Sequence, residues 1–178
     1  AQNAAEQLGD GVALAATKLR WGETCIEQSE YDEAKALLED SLALYVLQND
    51  PNGIGNAKFH LSAIALEQSL LERAEDLVRE CLEIRHDLDD HRGIASAQIL
   101  LADIIYERDD FAEARALAAS ALDIQEQHED TLGMIRSLRL LSTATLRLEA
   151  YEDALAFGRK ALDLAALEQN DHEAVACL

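Results

Sequence analysis

GIASAQILLADIIYERDDFAEARALAASALDIQEQHEDTL, residues 93–132, is the stretch on which the fold turns. Its first half places Ile94, Ala97, Leu101, Ile104 and Ile105 at the alternating three- and four-residue spacing of an amphipathic helix. Its second half repeats the rhythm with Phe111, Ala114, Leu117, Ala118, Ala121, Leu122 and Ile124. Between them lies Arg108-Asp109-Asp110, a polar turn too short to separate the helices, so the stretch reads as one helical hairpin.

The same hairpin recurs along the chain with a period of 40 residues and no gap. Ala34, Ala74, Ala114 and Ala154 share one column; Leu42, Leu82, Leu122 and Leu162 share another, followed by Leu44, Ile84, Ile124 and Leu164. Tyr31, Leu71, Phe111 and Tyr151 form a column of large side chains, and Gly53, Gly93 and Gly133 recur, with Ala13 in the first copy. The repeats are therefore 13–52, 53–92, 93–132 and 133–172. The predicted first helices are 12–28, 52–68, 92–108 and 132–148, and the second helices 31–48, 71–88, 111–128 and 151–168.

Small residues let the helices of a hairpin close up. Three columns are suited to that: the alanines just named; Gly22, Ser62, Ala102 and Ser142; and Ser41, Cys81, Ala121 and Ala161. Asp50, Asp90, Asp130 and Asn170 stand at the repeat junctions as helix caps, with Pro51 fitted to a first helical position. Ser69 with Glu72, and Asp110 with Glu113, have the offset of a capping box. Residues 1–10 read as the tail of a preceding repeat, with a break at Asp10, and 173–178 as the start of a following one. The chain is thus expected to be a piece of a longer protein.

These columns resemble the tetratricopeptide repeat over essentially the whole chain. The resemblance rests on the large–small pairs Trp21-Gly22, Leu61-Ser62, Leu101-Ala102 and Leu141-Ser142. It rests also on the aromatic-x-x-Ala openings Tyr31 to Ala34, Phe111 to Ala114 and Tyr151 to Ala154, and on the closing pairs Ser41-Leu42, Cys81-Leu82, Ala121-Leu122 and Ala161-Leu162. The period is longer than usual for that family, similar to the variant in Pins-type polarity adaptors and in arrays attached to bacterial signalling ATPases and transcriptional regulators. Lys18, Lys58, Gln98 and Leu138 stand where the family usually has a bulky residue. The resemblance implies an all-α fold: a right-handed superhelix of stacked antiparallel hairpins, an α-solenoid whose first helices line a concave groove.

Composition narrows the function. With 15 basic and 35 acidic residues the net charge is −20, so nucleic acid and anionic membrane are not expected partners, and no stretch has the length of a membrane span. Cys25, Cys81 and Cys177 read as small buried packers with reduced thiols, which suits a cytoplasmic location. No nucleophile, phosphate-loop or metal-ligand pattern stands out, so no enzyme, no cofactor and no metal are expected. His86, Asp90 and His91 are the nearest approach to a ligand set, at an ordinary polar junction.

The expected function is a protein-interaction scaffold whose groove holds a peptide or partner segment. The alternative is a sensor or autoinhibitory arm of a larger signalling ATPase or regulator, acting on its own parent protein. Columns that vary between copies are free to recognise a partner, which nominates Glu23, Asn56, Ser96, Asp103, Arg136, Arg139 and Thr143, with Arg20 and His60 at the rim. Phe59 and Ile99 are candidate apolar anchors, and Arg136 and Arg139, with Arg147 further along, could grip carboxylates. The acidic surface also admits a basic partner, and the end faces could stack head to tail.

Overall fold

The computed structural model describes residues 2–176, with side-chain surroundings over 11–168. Its described residues form eight helices: α1 (Gln2–Glu27), α2 (Tyr31–Gln48), α3 (Pro51–Glu67), α4 (Leu71–Asp87), α5 (His91–Glu107), α6 (Phe111–Gln127), α7 (Thr131–Arg147) and α8 (Tyr151–Ala176). Six have the expected bounds to within a residue. The other two overrun them: α1 passes Asp10 and α8 passes Asn170 without the expected breaks. At the other junctions a left-handed residue stops the helix, and neither overrun has one. A helix without such a stop simply propagates.

The chain divides into two compact units, Ala1–Asp89 and Asp90–Leu178, each of two hairpins. In the first, α1 pairs with α2, α3 with α4, and α2 packs on α3; in the second, α5 pairs with α6, α7 with α8, and α6 packs on α7. Stacking is what buries each hairpin's second apolar face.

The small columns are where the helices meet. Ala34, Ala74, Ala114 and Ala154 are buried. Ser62 Oγ donates to the Ala74 carbonyl at 2.7 Å and Ser142 Oγ to that of Ala154 at 2.8 Å, so the two small columns face each other across the hairpin. Gly22 fills the same column against Leu38, whose Cγ would lie 2.8 Å from an added Cβ. Ser41 Oγ likewise donates to the Ala15 carbonyl at 2.7 Å. The column that departs from the family resemblance is bridged by polar pairs: Lys18 with Asp40, Lys58 with Glu80, and Gln98 with Ser120 at 3.2 Å. In the fourth copy Leu138 is buried instead.

The junctions follow a rule of their own. Asp50, Asp90 and Asp130 cap α3, α5 and α7, each accepting from the backbone N–H of Gly53, Gly93 or Gly133 at 2.9–3.1 Å. Pro51 is the first residue of α3. Gly53 and Gly133 are required by packing. A Cβ on Gly53 would overlap the ring of buried Tyr45, and one on Gly133 would press on Gln125 and on Asp130 itself.

Every turn, within and between repeats, carries one left-handed residue: Ser29, Asn49, Ser69, Asp89, Asp109, Glu129 and Glu149, spaced by 20. Two hydrogen bonds close such a turn, as when Asn49 N–H donates to the Val46 carbonyl and Asp50 N–H to that of Tyr45. This overturns one expectation. Ser69 lies in that left-handed position and cannot cap α4, whose cap is Leu70 with no side-chain hydrogen bond. Asp110 does cap α6, accepting from Glu113 N–H at 3.1 Å.

Candidate functional site

The candidate recognition residues lie on the first helices, and each unit gathers its own set. In the first unit, α1 and α3 run side by side, which brings Glu23 to His60: Nε2 is 2.9 Å from Glu23 Oε1. Burial lowers the His60 pKa, Glu23 opposes that, and Arg85 adds to the lowering. The imidazole is therefore neutral near pH 7, and its Nε2–H donates to the carboxylate. Phe59 meets His60 edge to face with centroids 5.3 Å apart. Asn56 accepts from Arg85, which also donates to Asn52 Oδ1 at 2.8 Å. Arg85 comes from α4, a second helix, and is buried. Variation between repeats could not reveal it, since its column holds Tyr45 and Gln125 elsewhere, each serving a different junction. Arg20 is exposed beside this group.

In the second unit α5 and α7 are neighbours. Ile99 is not an exposed anchor: it is buried in the core with Ala102, Leu122 and Leu138, because α7 lies over its column. Asp103 is partly buried, and desolvation pushes its pKa up to about 6, against the attraction of Arg139 and with help from Glu107. Ser96, Arg136, Arg139 and Thr143 are exposed. Arg147 is already engaged and does not extend the pair: it lies 3.2 Å from Asp109 and sits over the Phe111 ring at 4.1 Å and the Tyr106 ring at 5.8 Å. That satisfies its charge and its stacking face together.

Two residues that sequence reasoning passed over complete this surface. Leu132 and Leu146 are exposed, and with Arg136, Arg139 and Thr143 they are spaced four, three, four and three along α7. That spacing makes a single line down the helix. The signal was present in the spacing but was hidden, because the apolar columns of the other repeats are read as core. Helix α7 carries three arginines and no carboxylate, in a chain of net charge −20.

Among the described residues, Cys25, Glu30 and Glu33 alone approach a metal-ligand cluster. The Cys25 thiol is held protonated by burial first and by Glu33 and Glu30 next, the reverse of what a thiolate ligand or nucleophile needs. Cys25 and Cys81 are buried and not in a disulfide, as expected of packers; Cys177 lies outside the described residues. His91 stacks on His128 with ring centroids 5.2 Å apart. No helix among the described residues is long and apolar enough to cross a membrane.

Comparison with known proteins agrees with this architecture. The tetratricopeptide-repeat profile matches residues 13–87 and 93–166. The chain belongs to the tetratricopeptide-repeat family. Curated protein sequences give no match. Among solved structures, BtubC (BKLC) from P. vanneervenii is similar at 21% identity and a TM-score of 0.77, over 88% of this chain and 65% of that one. RapI in its apo form is similar at 15% identity and a TM-score of 0.81, over 92% and 60%. Aspartyl phosphate phosphatase F from Bacillus subtilis is similar at 15% identity and a TM-score of 0.76, over 94% and 44%. At these identities the likeness concerns the fold, and the chain spans less than two thirds of the length of each.

Proposed function

We propose that this tetratricopeptide-repeat chain is a protein-interaction module whose first-helix faces hold a segment of a partner protein, and that α7 takes an acidic, amphipathic one. The observation that carries the reading is the exposed line Leu132, Arg136, Arg139, Thr143, Leu146 on a helix free of carboxylates. A guanidinium pairs with carboxylates in two-pronged geometry, and flanking leucines give a partner's aliphatic side chains something to bury against. An amphipathic segment docking on such a surface would be read at helical spacing, by leucines at the ends and arginines between. Family membership supports the general function.

Selection of phage-displayed peptides on the whole chain tests it. Selected peptides should combine Asp or Glu with Leu, Ile or Phe, and the Arg136→Glu/Arg139→Glu variant should lose them. Both arginines are exposed, so the double substitution leaves the fold intact, which circular dichroism checks. Peptides without acidic residues, or peptides that bind the variant equally well, would refute the α7 assignment.

A further inference from the structure

We propose that Asn52 and Asn56 on α3 are a pair of amide donors that hold the main chain of an extended partner segment, aimed by Arg85 on α4 as a positioning residue. The inference rests on the reading of the first-helix faces as the binding surface and is independent of the α7 line.

Arg85 is buried, and its guanidinium lies against Gly55, where an added Cβ would sit 3.5 Å from Nε and 3.6 Å from Cζ. From there it reaches both asparagines: Nη1 donates to Asn52 Oδ1 at 2.8 Å, and Nη2 donates to Asn56 Oδ1. A guanidinium only donates, so the amide atom that faces it has to be the oxygen. Each amide is thereby fixed in one orientation, with its NH2 turned away from Arg85. Among the described residues neither NH2 has a protein partner. Asn52 is exposed and Asn56 half-buried. A carboxylate would serve a buried guanidinium better than an amide does. What the amides add is a donor on the side away from it.

The two positions are one turn apart, about 6 Å along the helix, which is too far for one carboxylate to span. In an extended chain every second carbonyl points the same way, at intervals of about 6.6 Å. Asn52 and Asn56 thus match two alternate carbonyls of one extended segment, a contact that reads main chain and tolerates many side chains. The set occurs in this repeat alone. The two columns hold Val12 and Ala16, Arg92 and Ser96, and Leu132 and Arg136 in the other copies, and the place of Arg85 is taken by Tyr45, Gln125 and Ala165.

The probe is a linear peptide of zero net charge, selected by phage display on the whole chain carrying Arg136→Glu/Arg139→Glu, so that the α7 line contributes nothing. It is titrated in high salt, where added surface charge is screened. Asn52→Asp and Asn56→Asp each keep the oxygen that Arg85 needs and replace the outward donor by an acceptor. Each should keep or raise the thermal midpoint and yet weaken the peptide by roughly tenfold or more. In NMR spectra the side-chain NH2 signals of Asn52 and Asn56 should shift when the peptide binds. Arg85→Lys, which keeps the charge and loses the fork, should shrink those shifts along with the affinity. Equal binding by both Asp variants, or NH2 signals that do not move, would overturn the proposal and leave the first-helix reading standing. A chain on which no peptide can be selected would overturn both.

Discussion

At the scale of single residues, the repeats are held by what a position can exclude. Gly53 shows this best. Alanine is normally the better helix former, by about 1 kcal/mol. At Gly53 the added methyl would meet the Tyr45 ring, so Gly53→Ala should cost about 1–3 kcal/mol in chemical denaturation, the range for an overfilled contact. Asp103 makes a second prediction. Its folded pKa of about 6 lies above the 3.8 of the free side chain, so the folded state holds its proton more tightly. Stability should therefore fall as pH rises from about 4 to about 6, and Asp103→Asn should remove that fall; the difference is at most about 3 kcal/mol, less any solvent screening. Thermal unfolding of both proteins at pH 4.5 and 7 checks it. An Asp103→Asn protein that follows the wild-type pH profile would show the carboxyl to be ordinary.

At the scale of helices and turns, what repeats most faithfully is the turn. Left-handed residues fall at every twentieth position from Ser29 to Glu149, and no glycine occupies any of them. A side chain in that region costs roughly 1–2 kcal/mol, so Glu149→Gly should raise the unfolding midpoint by an amount worth up to about 1 kcal/mol, whereas Asp130→Ala should lower it by about 1 kcal/mol through loss of a cap. These turns also mark where the sequence stops being legible. The 40-residue period, the hairpins, the Asp caps and the small columns could all be read directly, because packing two helices closely restricts side-chain size and leaves a visible column. A left-handed turn restricts the backbone, and Ser and Glu do not announce it, so Ser69 read as a cap. The candidate site was less legible for the same reason. Ile99 and Arg139 share a column, yet one is core and the other exposed, because α7 lies over Ile99. Arg147 looked as available as Arg139 until Asp109, Phe111 and Tyr106 were brought beneath it.

At the scale of the whole molecule, charge governs what can approach. The chain carries −20, so it repels other acidic molecules at long range. Salt shortens the reach of that repulsion to about 10 Å at 0.1 M and leaves apolar burial intact. The α7 line concentrates positive charge on one helix of this acidic chain, which sets it apart as a place where an acidic segment escapes the general repulsion. The measurement that reaches the central claim most directly is hydrogen exchange of the whole chain with and without an acidic peptide selected on it. Protection that rises along α7, and is lost in the Arg136→Glu/Arg139→Glu variant, is the result this account predicts; protection confined to the second helices, or unchanged in the variant, would contradict it.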